Sequence, residues 1–137
     1  MTDDELRARE SIRDLVARYN ANGDTGRFDQ VVELFAPDAV HSARGNNPIA
    51  GDYKGVDDIL GFYGKLFELS DGTFRAELES TKADGDDKIV ATHRHKAERG
   101  GKRLDMDQTL TFTISDGKFT YLLDEASDQA AYDAFWS

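Results

Sequence analysis

Between Thr73 and Glu125 apolar and polar residues alternate, and the alternation breaks where Asp84-Gly85, Gly100-Gly101 and Asp116-Gly117 supply turn residues. A period of two puts neighbouring side chains on opposite faces of a strand, and Asp-Gly or Gly-Gly between two such runs is a hairpin signal. The second half of the chain is therefore constrained to a meander of antiparallel strands. In the run Thr73–Lys82, Phe74, Ala76 and Leu78 share one face while Arg75, Glu77 and Glu79 take the other. A long strand later puts Leu104, Met106, Gln108, Leu110, Phe112 and Ile114 inward, against Asp105, Asp107, Thr109, Thr111 and Thr113. Lys118 to Glu125 forms the last strand.

The strand between the first two turns carries the chemistry. Ile89, Ala91, His93, His95 and Ala97 share one parity, and Thr92, Arg94, Lys96 and Glu98 share the other. The charged set requires water, so both imidazoles are carried inward. Imidazoles titrate near neutrality and suit proton transfer or metal ligation. A hydrogen-bonded pair of core histidines is the alternative. The third histidine is His41, in Ala39-Val40-His41-Ser42-Ala43, where the alternation is too weak to fix a face.

Ahead of the strands the spacing becomes helical. Thr2-Asp3-Asp4-Glu5 has the capping-box pattern, and Leu6, Ile12, Leu15, Val16 and Tyr19 recur at helical intervals up to Asn22-Gly23. A shorter helix is expected over Phe28–Phe35, with Phe28, Val31, Leu34 and Phe35 inward and Pro37 as its stop. A short strand covers Ala39–Ala43, and Arg44 to Pro48 holds turn formers. A third helix over Val56–Leu69 presents Ile59, Leu60, Tyr63, Leu66 and Phe67. Ala130, Ala131, Tyr132, Phe135 and Trp136 close the chain as a short apolar-sided helix. Three N-terminal helices covering one face of a strongly curved, largely antiparallel sheet make an α+β plan. The concave space between them is a default binding site.

With 137 residues the chain makes one domain, 1–137. It holds 17 basic and 27 acidic residues, a net of −10 spread along the sequence, which disfavours nucleic acid and anionic membrane as partners. No cysteine is present, so disulfides, thiolate metal sites and thiol nucleophiles are excluded. No apolar run reaches the length of a membrane span, and Met1 to Glu5 is unlike the basic start of a secretory signal. A soluble, cytoplasmic protein is expected.

Four stretches, Ile12-Arg13-Asp14-Leu15-Val16-Ala17-Arg18-Tyr19, Leu34-Phe35-Ala36-Pro37-Asp38-Ala39-Val40, Gly51-Asp52-Tyr53-Lys54-Gly55 and the Asp116-Gly117-Lys118 hairpin, resemble the SnoaL-like, ketosteroid-isomerase-like group of the nuclear transport factor 2 fold. The resemblance implies a cone of curved sheet and three helices, no cofactor, and often a homodimer. Its members include isomerases, cyclases, dehydratases, epoxide hydrolases and plain binders. Tyr19 resembles the oxyanion-hole tyrosine of the isomerases, but their two functional aspartates fall at Ala43 and near Leu110, so that mechanism does not carry over. His93 and His95 stand where epoxide-hydrolase members carry an Arg and an Asp, and Asp124 matches their second carboxylate, two residues after Leu122. Asp24 is placed like the aspartate of the dehydratase dyads. The alignment gives His41 the inward parity of the isomerase base.

The resemblance thus implies a cofactor-independent general acid–base enzyme acting on a small, apolar or polyketide-like molecule. His93 or His95 would be the base, Asp124 or Asp24 its orienter and Tyr19 the proton donor. Phe62, Phe67, Met106, Leu122 and Trp136 would supply walls, with His41 and Gln108 as polar contacts. The alternatives are a non-catalytic binder on the same cone and a metal enzyme using His41, His93 and His95.

Overall fold

A computed structural model of the chain describes residues 3–25, 29–85 and 87–137, and within these leaves aside the side chains of residues 4, 5, 19, 22–25 and 29–31. The chain runs α1 (Asp3–Thr25), a 3-10 helix (Asp29–Leu34), β1 (Phe35–Ala43), β2 (Gly51–Lys54), α2 (Val56–Leu69), β3 (Arg75–Ala83), β4 (Lys88–Arg99), β5 (Lys102–Ser115), β6 (Lys118–Ala126) and α3 (Gln129–Trp136). The strands form one six-stranded sheet in the order β2-β1-β6-β5-β4-β3. Only β1 and β6 run parallel. The expected α+β plan holds: a mixed, unclosed sheet with helices on its concave side, α1 against β3 and β4, α2 against β1 and β2, and α3 against β5 and β6.

Inward alternation fills the space between the layers. Phe119 meets Phe35 edge to face at 5.5 Å and packs tilted on Phe112 at 4.9 Å between ring centroids. The buried side of α2, Ile59, Phe62, Tyr63, Leu66 and Phe67, covers them. No side chain caps α2, and Asp57 and Asp58 in its first turn complement the helix dipole instead. At the other end α3 is capped by Asp128, whose side chain accepts from Ala131 N. It buries Trp136 completely against Phe74 (6.0 Å) and Phe135 (4.8 Å).

Two expectations are corrected. The second helix is a 3-10 turn over Asp29–Leu34, and Phe35 already belongs to β1; of its predicted inner face, Phe28 and the side chain of Val31 lie outside the described residues. Pro37 does not stop a helix but sits inside β1, where the pairing with β6 is irregular between Phe35 and Val40. Proline has no N–H for a sheet ladder, so such an irregularity is where it fits. The sheet also gains an edge strand, β2, whose four residues carry no alternation and which pairs only with β1. Thr2 of the capping box lies outside the described residues.

Trp136→Ala would remove the largest fully buried side chain and the seal of α3, and is expected to cost about 3–5 kcal/mol. Urea unfolding followed by far-ultraviolet circular dichroism measures this. A loss below about 1 kcal/mol would mean that α3 is not part of the cooperative unit.

Candidate functional site

The register of four strands gathers the polar residues of the inner face. His93 lies opposite Gln108 and His95 opposite Met106 on β5, while Leu110 lies opposite Asp124 on β6. Because β1 runs parallel to β6, His41 pairs with Leu122 and Ala43 with Asp124, which puts His41 one step along the same face from the carboxylate. All five are buried: His41 is 1 % exposed, His93 2 %, His95 5 %, Gln108 2 % and Asp124 5 %. The inward parity expected for His93, His95 and His41 is therefore observed.

Hydrogen bonding orders this cluster around Asp124. His41 Nε2 lies 2.9 Å from Asp124 Oδ2, and Gln108 Nε2 donates to Asp124 Oδ1 at 2.6 Å. On its other side His41 Nδ1 lies 3.3 Å from the Tyr63 hydroxyl. The Phe62 ring packs on the imidazole at 4.8 Å. The expectation that Asp124 orients His93 or His95 is corrected, since its two hydrogen bonds go to His41 and Gln108. Nδ1 of both His93 and His95 is buried with no hydrogen-bond partner, and so is Gln108 Oε1. The rings of His93 and His95 stand 6.3 Å apart, and His95 meets the edge of Phe74 at 4.9 Å.

His41, His93, His95 and Asp124, but not Gln108, line a cavity of about 50 Å³ between the sheet and the two long helices, walled also by Leu15 and Val16 of α1 and by Phe62, Tyr63 and Leu66 of α2. Phe62 is thus a wall, as expected. Leu122 and Trp136 are wholly buried in the core, Met106 is half-buried against it and Phe67 packs on Phe74, so none of these four lines the cavity. Tyr19 and Asp24 fall within α1, with side chains outside the described residues. Tyr63 joins the site although helical spacing marked it only as core. Its one signal is chemical: a hydroxyl on a buried stripe needs a partner.

Electrostatics separates the groups. Burial works against the Asp124 charge, but the His41 hydrogen bond, the nearby imidazoles and Gln108 together hold its pKa below the usual carboxylate range. Burial pushes His93 down to about 3, aided by His95 and opposed by Asp124. His95 is pushed down to about 4, again by burial, with Asp124 opposing. Both rings are neutral at pH 7. Burial and the Asp124 charge raise the Tyr63 phenol, which stays protonated. Among the described residues no three His, Cys, Asp or Glu side chains are grouped to hold a metal ion.

The depressed imidazoles give stability a pH dependence. An unfolded histidine titrates near 6.5, so between about pH 6.5 and pH 4 the unfolded chain binds protons that the folded rings refuse. Stability is fully present above that window and falls with acidification by up to roughly 1.4 kcal/mol per pH unit for each ring. Urea unfolding at pH 7.5, 6.0 and 5.0 is expected to show this slope, halved in His93→Gln. A flat profile would mean that the rings protonate in the folded state.

With this geometry in place, the comparisons with known proteins agree. Residues 12–122 match the SnoaL-like domain family. An uncharacterized protein of Mycobacterium tuberculosis is 32% identical over 137 residues, covering 100% of both chains. The structure of Bal32a, from a soil-derived mobile gene cassette, superposes with a TM-score of 0.91 at 32% identity, covering 98% of this chain and 100% of that one. A putative SnoaL-like polyketide cyclase from Jannaschia sp. CCS1 shares the fold with a TM-score of 0.76 at 17% identity, covering 100% of this chain and 96% of its own. A cone lined by imidazoles, matched over most of its length, makes this chain a member of the SnoaL-like domain family with the nuclear transport factor 2 fold.

Proposed function

We propose that the protein is a cofactor-independent acid–base enzyme acting on a small, uncharged, largely apolar ketone held in the cone. The observation that carries this reading is a buried His41–Asp124 pair facing a cavity whose other two imidazoles are kept neutral. A carboxylate accepts hydrogen bonds and donates none. Both His41 Nε2 and Gln108 Nε2 must therefore donate to Asp124, which fixes the proton of His41 on Nε2 and leaves a lone pair on Nδ1. That nitrogen, to which the Tyr63 hydroxyl donates at 3.3 Å, is the base once the hydroxyl turns from it toward the substrate oxygen. It takes a proton from the carbon beside the substrate carbonyl, the C–H electron pair moves into the carbonyl to form an enolate, and Asp124 stabilises the imidazolium. Neutral His93 and His95 offer ring N–H groups to the enolate oxygen, a role that neutral imidazoles fill where a full positive charge is disfavoured. The proton then returns to the same carbon, to another one or to a leaving group, and no oxidant is required.

Asp124 is the only fully charged group among the lining residues, which include no lysine or arginine, so a carboxylate or phosphate would meet repulsion and no counter-charge. The shared fold of a putative polyketide cyclase supports a polyketide-like ketone. Tyr19 remains the proton donor and Asp24 a second orienter by family resemblance. A homodimer through the outer sheet face also belongs to this reading. Tyr121, 37 % exposed, stands on that face beside Thr111 and Thr113 of β5.

Exchange of α-hydrogens for deuterium, followed by nuclear magnetic resonance over a panel of cyclic ketones, tests the chemistry without a known physiological substrate. Catalysed exchange is expected for at least one member, falling roughly 10²-fold in His41→Gln and in Asp124→Asn, while ketone affinity changes little. His93→Gln and His95→Gln are each expected to lower the rate by a factor of about 10 or more. Tight binding across the panel with no exchange would replace the enzyme by a binding protein. Exchange untouched by His41→Gln would move the base to another residue.

A further inference from the structure

At 50 Å³ the cavity is smaller than its proposed ligand. Benzene occupies an engineered cavity of roughly 150 Å³ elsewhere. Room must come from a movable wall, and one wall has the needed construction. Residues 44–50, between β1 and β2, lie against α3 along a polar seam. Asn47 Nδ2 donates to Asp133 Oδ1 at 2.6 Å, and Gln129 Nε2 donates to the same oxygen at 3.0 Å and to the Arg44 carbonyl at 3.2 Å. Gly45 fits under this knot with φ near 121°, and a Cβ there would stand 2.3 Å from Asp133 Oδ1 and 2.4 Å from Gln129 Nε2.

Beneath the seam a throat runs inward, walled by Ala43, Ile49, Phe62 and Tyr132 and ending on Gln108 and Asp124. Its walls meet too closely to leave room for a water molecule. Phe62 and Asp124 wall both the throat and the histidine cavity, so the two spaces adjoin at these side chains. Gln108, 2 % exposed, has its amide nitrogen committed to Asp124 and its Oε1 without a partner. An unpaired buried carbonyl is costly, and here it sits where an incoming hydroxyl or N–H would satisfy it.

We propose that molecules reach the buried histidines through the seam between residues 44–50 and α3, which opens when the Asn47–Asp133–Gln129 hydrogen bonds part and joins throat and cavity into one site. The need for an opening rests on the ligand size of the proposed function, while access itself is read without any substrate or turnover.

The chain is its own reporter. Its three histidines all line the cavity, and it has no cysteine. Diethyl pyrocarbonate acylates neutral imidazoles with an ultraviolet signal, so its rate of reaction reads access to the cavity in the absence of any substrate. In the double variant Asn47→Cys, Asp133→Cys the seam keeps only the Gln129–Arg44 bond and has lost both hydrogen bonds to Asp133, and acylation is expected to run roughly 10-fold faster than in the unsubstituted protein. Bridging the two thiols with dibromobimane is expected to bring the rate to or below that of the unsubstituted protein. Dilute urea should leave the unbridged rate nearly unchanged, as local opening requires. Equal rates with and without the bridge, or a rate that tracks global stability in urea, would overturn the proposal and place access elsewhere, for example beside α1.

Discussion

A single buried negative charge organises the molecule. Asp124 stands on the inner face of β6, where burial alone would drive it to the neutral form. It stays charged because two N–H donors reach its two oxygens, one from β1 and one from β5. Those strands flank β6, so the sheet order β2-β1-β6-β5-β4-β3 is the condition for the charge to persist. The parallel pairing of β1 with β6 is part of this. It sets His41 level with Leu122, within reach of the carboxylate one step further along. Breaking either donor would leave a buried charge half-satisfied, a more severe defect than removing the whole network.

The same charge explains the contrast among three imidazoles that share one cavity. His41 is held by a carboxylate and a phenol, whereas Nδ1 of His93 and of His95 meets no partner. For His93 and His95, desolvation outweighs the pull of Asp124, so both rings are uncharged. Unpaired polar atoms in an aromatic-walled core carry a stability cost with no packing return. Groups of that kind are what a site for chemistry retains and a plain core eliminates. Neutral rings also suit the proposed reaction, because an imidazolium beside Asp124 would neutralise it in an ion pair and take away the base's support.

Much of this was legible in the sequence, and the boundary of legibility has a physical basis. Parity along β4 and β5 fixed the faces of His93, His95 and Gln108, because an outward row of Arg94, Lys96, Asp105 and Asp107 leaves the opposite row no choice. Arg94 does bond Asp105 and Asp107 on the solvent side. The helical stripe of α2 gave its bounds, Val56–Leu69, for the same reason. Parity assigns a face but not a partner. Asp124 was legible as inward and illegible as the mate of His41, because their contact depends on a parallel pairing between residues 83 apart in sequence. The 3-10 turn and β2 were hidden differently: both are short and lack a periodic apolar face, so their conformation is set by neighbours and not by pattern.

Access and chemistry place opposite demands on the wall they share. The pull of Asp124 on the His41 proton is strong because water is excluded, and admitting solvent through the throat would raise the local dielectric and weaken it. A permanently open cone would therefore bind freely and react poorly, while a permanently shut one holds little more than water. A seam of a few hydrogen bonds around one aspartate, with a glycine beneath and an otherwise apolar throat behind, resolves the conflict. Its opening costs little compared with unfolding, and on closing, the apolar walls expel water again. Asp133, at the centre of the seam, is itself held in its charged form by Asn47 and Gln129 against partial burial. The molecule thus uses one device twice, a carboxylate gripped by two side-chain N–H donors, an imidazole and an amide deep in the cone to sustain a charge and two amides at its rim to hold a lid.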